Sequence, residues 1–199
     1  MRCITAFECG KKRLEGEAKS EYTDEVFSDG VPPEMLFFER CIDWLAPGGK
    51  LGIVMPKSFL DTQTYLPIRK ILFSKCQLLA VINCHKNTFQ PHTGVRTCLI
   101  LVRKYNKEEL PLKNYDIFMA ISNKVGQDSE GVPIYKTDDK TGKPTDELDH
   151  DLDEILNSYI KFKNGDFQDA AYQFSIQYSQ LNEQLKINPQ WFLPSFNEL

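Results

Sequence analysis

The sequence predicts an α/β fold: helices packed on a sheet that ends in an antiparallel hairpin, followed by a helical C-terminal extension. Three observations carry this expectation. Short apolar runs of strand length alternate with helix-period segments through residues 31–105. The clearest helical segments end on glycine signals. The connection between the last two apolar runs has no helical pattern, which a parallel crossover needs. With 199 residues, 41% hydrophobic and 26% charged, the chain can bury one core and carry an appendage.

Residues 1–30 are polar, lack a sustained period and read as an arm or loop. "VPPEMLFFERCIDWLAPGGK" then reads as a helix marked at both ends. Pro32 and Pro33 suit a first turn, and Glu34 complements the positive end of the helix dipole. Leu36, Phe37, Cys41, Trp44 and Leu45 recur on one face, expected to point inward. Pro47-Gly48-Gly49 stops the helix. "KLGIVMP" has the look of a buried parallel strand. "TYLPIRKILFSK" comes next as a helix with Thr64 as candidate cap and Tyr65, Ile68, Ile71 and Leu72 inward. "QLLAVINC" and "TCLILVRKY" are the next two strands, and the helix-free loop between them predicts antiparallel neighbours.

Beyond Tyr105, residues 106–147 read as an edge strand, "YDIFMAIS", and a mobile turn-rich segment. Residues 148–199 read as a helical extension. Its helix carries Leu148, Leu152, Ile155, Leu156 and Tyr159 on one face and ends at Gly165.

Charge is distributed unevenly. The net −4 resolves into −2 over residues 1–30, +6 over residues 31–105 and −8 over residues 106–199. The middle third is where a polyanion is drawn. It contains "NTFQPHTGVRT", a polar loop with an aromatic residue among cations. Cysteines without paired spacing and a start without a signal-peptide core predict free thiols and a cytoplasmic home. Cys84, His85, His92 and Cys98 match no zinc spacing. Gly48-Gly49 lies between helix and strand, the reverse of the order a dinucleotide loop requires.

Two stretches, "PPEMLFFERCIDWLAPGGKLGIVMPKSFL" and "IRKILFSKCQLLAVINCHKNTFQPHTGVRTCLILVRK", resemble the C-terminal half of DNA N-6 adenine methyltransferases. The closest look is to modification (M) subunits of type I restriction–modification systems. "YDIFMAISNKVGQDSEGVPI" also looks like the segment just beyond the catalytic domain of that group, so the resemblance spans residues 31–135. It implies the C-terminal half of a Rossmann-like sheet and, for the parent enzyme, S-adenosylmethionine as methyl donor to an adenine turned out of duplex DNA. In that family an aromatic side chain in this loop stacks on the extruded base. The matching residue is Phe89, with Lys86, His92 and Arg96 as DNA phosphate contacts. The alternative is a phenylalanine tucked beneath its own strands. By the same resemblance Phe37 borders the cofactor's adenine; the alternative is a core residue.

The family's chemistry depends on a glycine-rich strand-to-helix loop for the cofactor and an Asn/Asp-Pro-Pro-aromatic tetrapeptide for the target amine. Neither occurs in this sequence. In "VPPE", Val31 cannot accept a hydrogen bond and Glu34 replaces the aromatic ring. The expectation is a C-terminal portion, catalytically silent alone, without productive S-adenosylmethionine binding. The rival is a non-catalytic module that binds DNA or a partner subunit. "FSIQYSQLNEQLKINPQWFLPSF" is similar to the lead-in of target-recognition domains. Expected partners are therefore double-stranded DNA and the specificity and restriction subunits, or a fused recognition domain. An unpaired sheet edge at "KLGIVMP" also predicts a homodimer or marginal solubility.

Overall fold

The computed structural model describes residues 32–181. The N-terminal arm and the "NPQWFLP" motif lie outside the described residues. Helix α1, Pro33–Trp44, begins as its prolines and Glu34 require. At its other end the Leu45 N–H donates to the carbonyls of Cys41 and Ile42. Gly48 turns the chain at φ +73°, a region that disfavours side chains. The Lys104 ammonium, arriving from a distant strand, donates to the carbonyls of Ile42 (2.8 Å), Asp43 (3.2 Å) and Leu45 (2.9 Å). A cation thus satisfies carbonyls at the negative end of the helix.

The inward face of α1 differs from the expected one. Met35, Phe38, Glu39 and Ile42 are buried, whereas Phe37 and Trp44 are exposed. The helix carries two apolar stripes about half a turn apart, and the sheet covers only the first. Periodicity finds both stripes without choosing between them.

Strand β1, Lys50–Pro56, leads through a short helix α2, Ser58–Asp61, and a 3₁₀ turn, Gln63–Tyr65, into helix α3, Leu66–Lys75. Thr64 does not cap α3: it lies within the 3₁₀ turn, and the cap position falls at Tyr65. The Tyr65 hydroxyl is hydrogen-bonded to the Glu34 carboxylate. Strands β2, Cys76–Asn83, and β3, Thr97–Lys104, come next, then β4, Asp116–Ile121. A small hairpin of β5, Tyr135–Thr137, and β6, Pro144–Leu148, precedes helix α4, Leu152–Asn164, and strand β7, Gln173–Gln177.

The main sheet runs β1-β3-β2-β4-β7. As the helix-free loop predicts, β2 and β3 are antiparallel neighbours. β3 is also antiparallel to β1, so β1 and β2 point the same way with a reversed strand between them. β4 is parallel to β2 and antiparallel to β7. Three expectations change here. β1 is not a buried parallel strand; it lies at the sheet edge with alternating exposure. "YDIFMAIS" is not an edge strand, because β7 covers its outer side. Residues 173–177 are strand where a helical extension was expected: beside β4, their backbone groups complete a ladder.

Both faces of the sheet are covered. One carries the main core of α1, α3 and the inward residues of β1, β2, β3 and β4, among them Phe38, Ile68, Leu78, Ile100 and Met119. On the other, Ala80, Phe118 and Ala120 meet Ile155, Tyr159 and Phe162 of α4. A bulge between Leu78 and Ala80 shifts the alternation of β2 by one residue, placing Leu78 and Val81 in the same core. The α4 stripe is also rotated from expectation. Leu148 falls in β6, outside the helix. Ile155 is buried, but Leu152 and Leu156 are exposed, because Phe118 draws the Ile155–Tyr159–Phe162 stripe to the sheet. Asp153 and Glu154 sit in its first turn, and Gly165 closes the helix at φ +82°.

Candidate nucleic-acid interface

β1, β2 and β4 run in one direction, so Pro56, Asn83 and Ile121 mark the C-terminal edge of the sheet. In open α/β sheets ligands gather at that edge. The loop of residues 84–96 rises from it. The Cys84 N–H donates to the Thr97 carbonyl at 3.0 Å and draws the two ends of the loop together. The Lys57 N–H donates to the Arg96 carbonyl at 2.8 Å, anchoring the outgoing end to the segment after β1.

The loop is organised by its own polar groups. The His85 carbonyl accepts from both the amide and the hydroxyl of Thr88. The Asn87 N–H donates to His85 Nδ1 at 3.2 Å, which requires that nitrogen unprotonated. Burial and then the Lys86 charge push the His85 pKa below its ordinary value, while Asp151 opposes them. Neutral imidazole and this hydrogen bond therefore favour one another.

A second segment braces the loop from below. Gln127 extends its side-chain amide to the carbonyls of Asn87 (2.7 Å), Gln90 (3.1 Å) and Thr88 (3.4 Å). The turn beyond it is closed by Asp128, whose Oδ1 accepts from the amides of Glu130 and Val132. Gly131 lies under Pro91 at φ +81°, and a Cβ there would come within 2.8 Å of the proline ring. Within the turn-rich segment, Gln127 and Gly131 thus pack against the loop.

Phe89 sits within this braced loop at 38% exposure and in neither core cluster. It is not sealed beneath its strands. Lys86, His92 and Arg96 are exposed in the same loop. Lys86 and Arg96 line a common cleft, of which His92 and Phe89 are not part. Phe37 lies elsewhere, on α1, with 61% of its surface exposed, so the core alternative does not hold for it. The sequence reading missed Gln127, Gly131, Asn123 and Tyr172. They come from segments well separated from the loop in sequence and carry no local pattern.

Within the described residues, no strand is followed by a glycine-rich turn into a helix. β1 passes to α2 through Lys57, β2 into the polar loop and β4 into Ser122 and Asn123. No group of three His, Cys, Asp or Glu side chains among the described residues is placed to hold a metal. No helix among them is long and apolar enough to cross a membrane.

The Rossmann-like α/β sheet thus has a reversed strand between parallel ones and carries a cationic, aromatic loop at its C-terminal edge. The chain belongs to the N-6 DNA methylase family, whose sequence model matches residues 10–184. Among solved structures it is similar to a component of a type I R-M system described for its complex assembly and conformational transition. The TM-score is 0.56 at 18% identity, covering 81% of this chain and 32% of that one. A modification subunit assigned to a type I restriction enzyme from Vibrio vulnificus YJ016 superposes with a TM-score of 0.49 at 20% identity, covering 74% and 28%. The methyltransferase subunit of a type I restriction-modification system from Streptococcus thermophilus gives 0.46 at 20% identity, covering 74% and 26%. At these identities the likeness is one of fold. The chain spans about a third or less of the length of these structures. No curated protein matches it in sequence.

Proposed function

We propose that this chain is the C-terminal portion of a type I modification subunit that methylates adenine N6 in DNA, and that it grips the extruded base. The observation that carries the reading is Phe89, partly exposed on a loop that Gln127 holds by three backbone carbonyls. A base leaving the duplex loses its stacking partners, and a held aromatic ring replaces them at roughly 1–3 kcal/mol. Lys86, His92 and Arg96 place positive charge beside the strand. Methyl transfer depends on positioning, so the groups that orient the target amine and hold S-adenosylmethionine have to join this loop from outside the described residues. Phe37 is proposed to meet the cofactor's adenine from α1.

In this reading the partners are double-stranded DNA and the specificity and restriction subunits, in the cytoplasm. Among the described residues no strand pairs with the outer edge of β1, and that edge is proposed to take further strands or a second copy of the chain. A second reading, a non-catalytic interaction module, is favoured by the lack of a glycine-rich strand-to-helix turn among the described residues. Calorimetric titration tests the proposal. The chain alone should give no S-adenosylmethionine heat yet bind a duplex with an unpaired adenine more tightly than a matched duplex. Saturable cofactor binding would overturn the claim that the cofactor is held elsewhere. Equal affinity for both duplexes would support the module reading.

A further inference from the structure

Beside the root of the loop lies a cleft of about 250 Å³ whose walls come from four separate segments. Lys86 and Arg96 enter from the two ends of the loop, Asn83 from the end of β2, Asn123 from beyond β4 and Tyr172 from the approach to β7. Two formal positive charges face this space, and no acidic side chain lines it. One carboxylate, Asp151, stands behind the wall formed by Ser122 and Asn123. Its oxygens accept from the Ser122 hydroxyl at 2.8 Å, the Asn123 N–H at 2.6 Å and the Lys124 N–H at 3.2 Å. That clamp fixes the position of Asn123, and the Asp151 charge also reaches His85, which lines the cleft beside Lys86. The Ile121 N–H donates to the Tyr172 carbonyl at 2.8 Å, which holds the tyrosine wall against β4.

We propose that this cleft is a phosphodiester-binding site, seating one backbone phosphate next to the everted nucleotide. The inference rests on the base-stacking reading of Phe89 and adds a second point of grip. A planar guanidinium and an ammonium are the groups that bind phosphate oxygens by charge-assisted hydrogen bonds. Asn83 and Asn123 add amide donors, and the Tyr172 ring offers a flat wall to the sugar. A base stacked on Phe89 is bonded through its sugar to a phosphate on either side. A cationic hollow at the foot of the same loop therefore lies along the course of the strand. Two anchors on one nucleotide, ring and phosphate, would fix the rotation of the extruded unit as well as its position.

The test measures binding of the full chain to a fluorescent duplex with one unpaired adenine across a series of salt concentrations. Each neutralised phosphate contributes close to one unit to the slope of log affinity against log salt. The double variant Lys86→Gln, Arg96→Gln should lose about one unit of slope and about tenfold in affinity at low salt. Phe89→Ala should lower affinity with the slope unchanged. A neutral methylphosphonate walked along the strand should weaken wild-type binding at one position beside the adenine, without weakening the double variant further. An unchanged slope, an effect at no single position or no DNA binding by the wild type would each overturn the site. Inorganic phosphate displacing DNA more strongly than chloride at equal ionic strength would assign the cleft to free phosphate instead. If Phe89→Ala is silent while the slope falls, the phosphate site stands and the base-stacking reading fails.

Discussion

Replacing Phe89 by alanine should weaken binding to a duplex with an unpaired adenine by roughly 5- to 150-fold, the equivalent of about 1–3 kcal/mol of base stacking. The methylation rate of the complete enzyme should fall with it. The extruded base would keep its polar contacts but lose the surface that holds its plane. Phe89 lies outside both core clusters, so the same change should leave thermal stability nearly untouched. Gln127→Leu is the companion variant. It leaves the ring in place but removes the amide that ties three loop carbonyls together. Its effect on affinity should go in the same direction and be smaller. Unchanged binding and unchanged methylation for Phe89→Ala would remove this ring from the mechanism.

Phe118→Ala should be the most destabilising of the simple truncations. Phe118 is fully buried on β4, which lies inside the sheet between β2 and β7. Its ring meets Tyr159, Phe162 and Phe167 at centroid distances of 5.5, 5.6 and 5.4 Å. Deleting it leaves a cavity between the sheet and α4, at a cost of about 3–5 kcal/mol. For a chain of this length the melting temperature should drop by about 6–20 °C. Asp151, at the start of α4, clamps Ser122 and Asn123, so loosening α4 should also loosen one wall of the phosphate cleft. Calorimetry of the variant checks this, and a shift under about two degrees would mean that α4 is not held through Phe118.

Local signals in the sequence were legible where one residue or one length decides the outcome. Pro33, Gly48 and Gly165 mark helix ends through backbone restriction, and the helix-free residues 84–96 force β2 and β3 to be antiparallel. Most of the failures share a different cause. α1 and α4 each carry two apolar stripes, and only the opposing sheet face determines which is buried. β1 reads as buried because Leu51, Ile53 and Met55 are apolar, yet its exposure alternates at an edge. β7 carries a short period-2 signal in Phe174 and Ile176, continued by Tyr178 just beyond it, which the helical reading of residues 148–199 passed over, and it forms where β4 offers a ladder. The position of Phe89 in a polar loop was visible from composition, but its meaning came from family likeness. The bracing by Gln127 and the cleft walls at Asn123 and Tyr172 are tertiary products, joining segments that share no period or motif.

The most direct test places 5-iodouracil at the target position of a short duplex and irradiates the complex with the full chain. A halogenated pyrimidine reacts with the aromatic ring on which it stacks, so peptide mapping reports the contact itself. The account predicts a crosslink to Phe89 that disappears in Phe89→Ala and weakens in Gln127→Leu. A crosslink to another residue, with Phe89 unmodified, would contradict it.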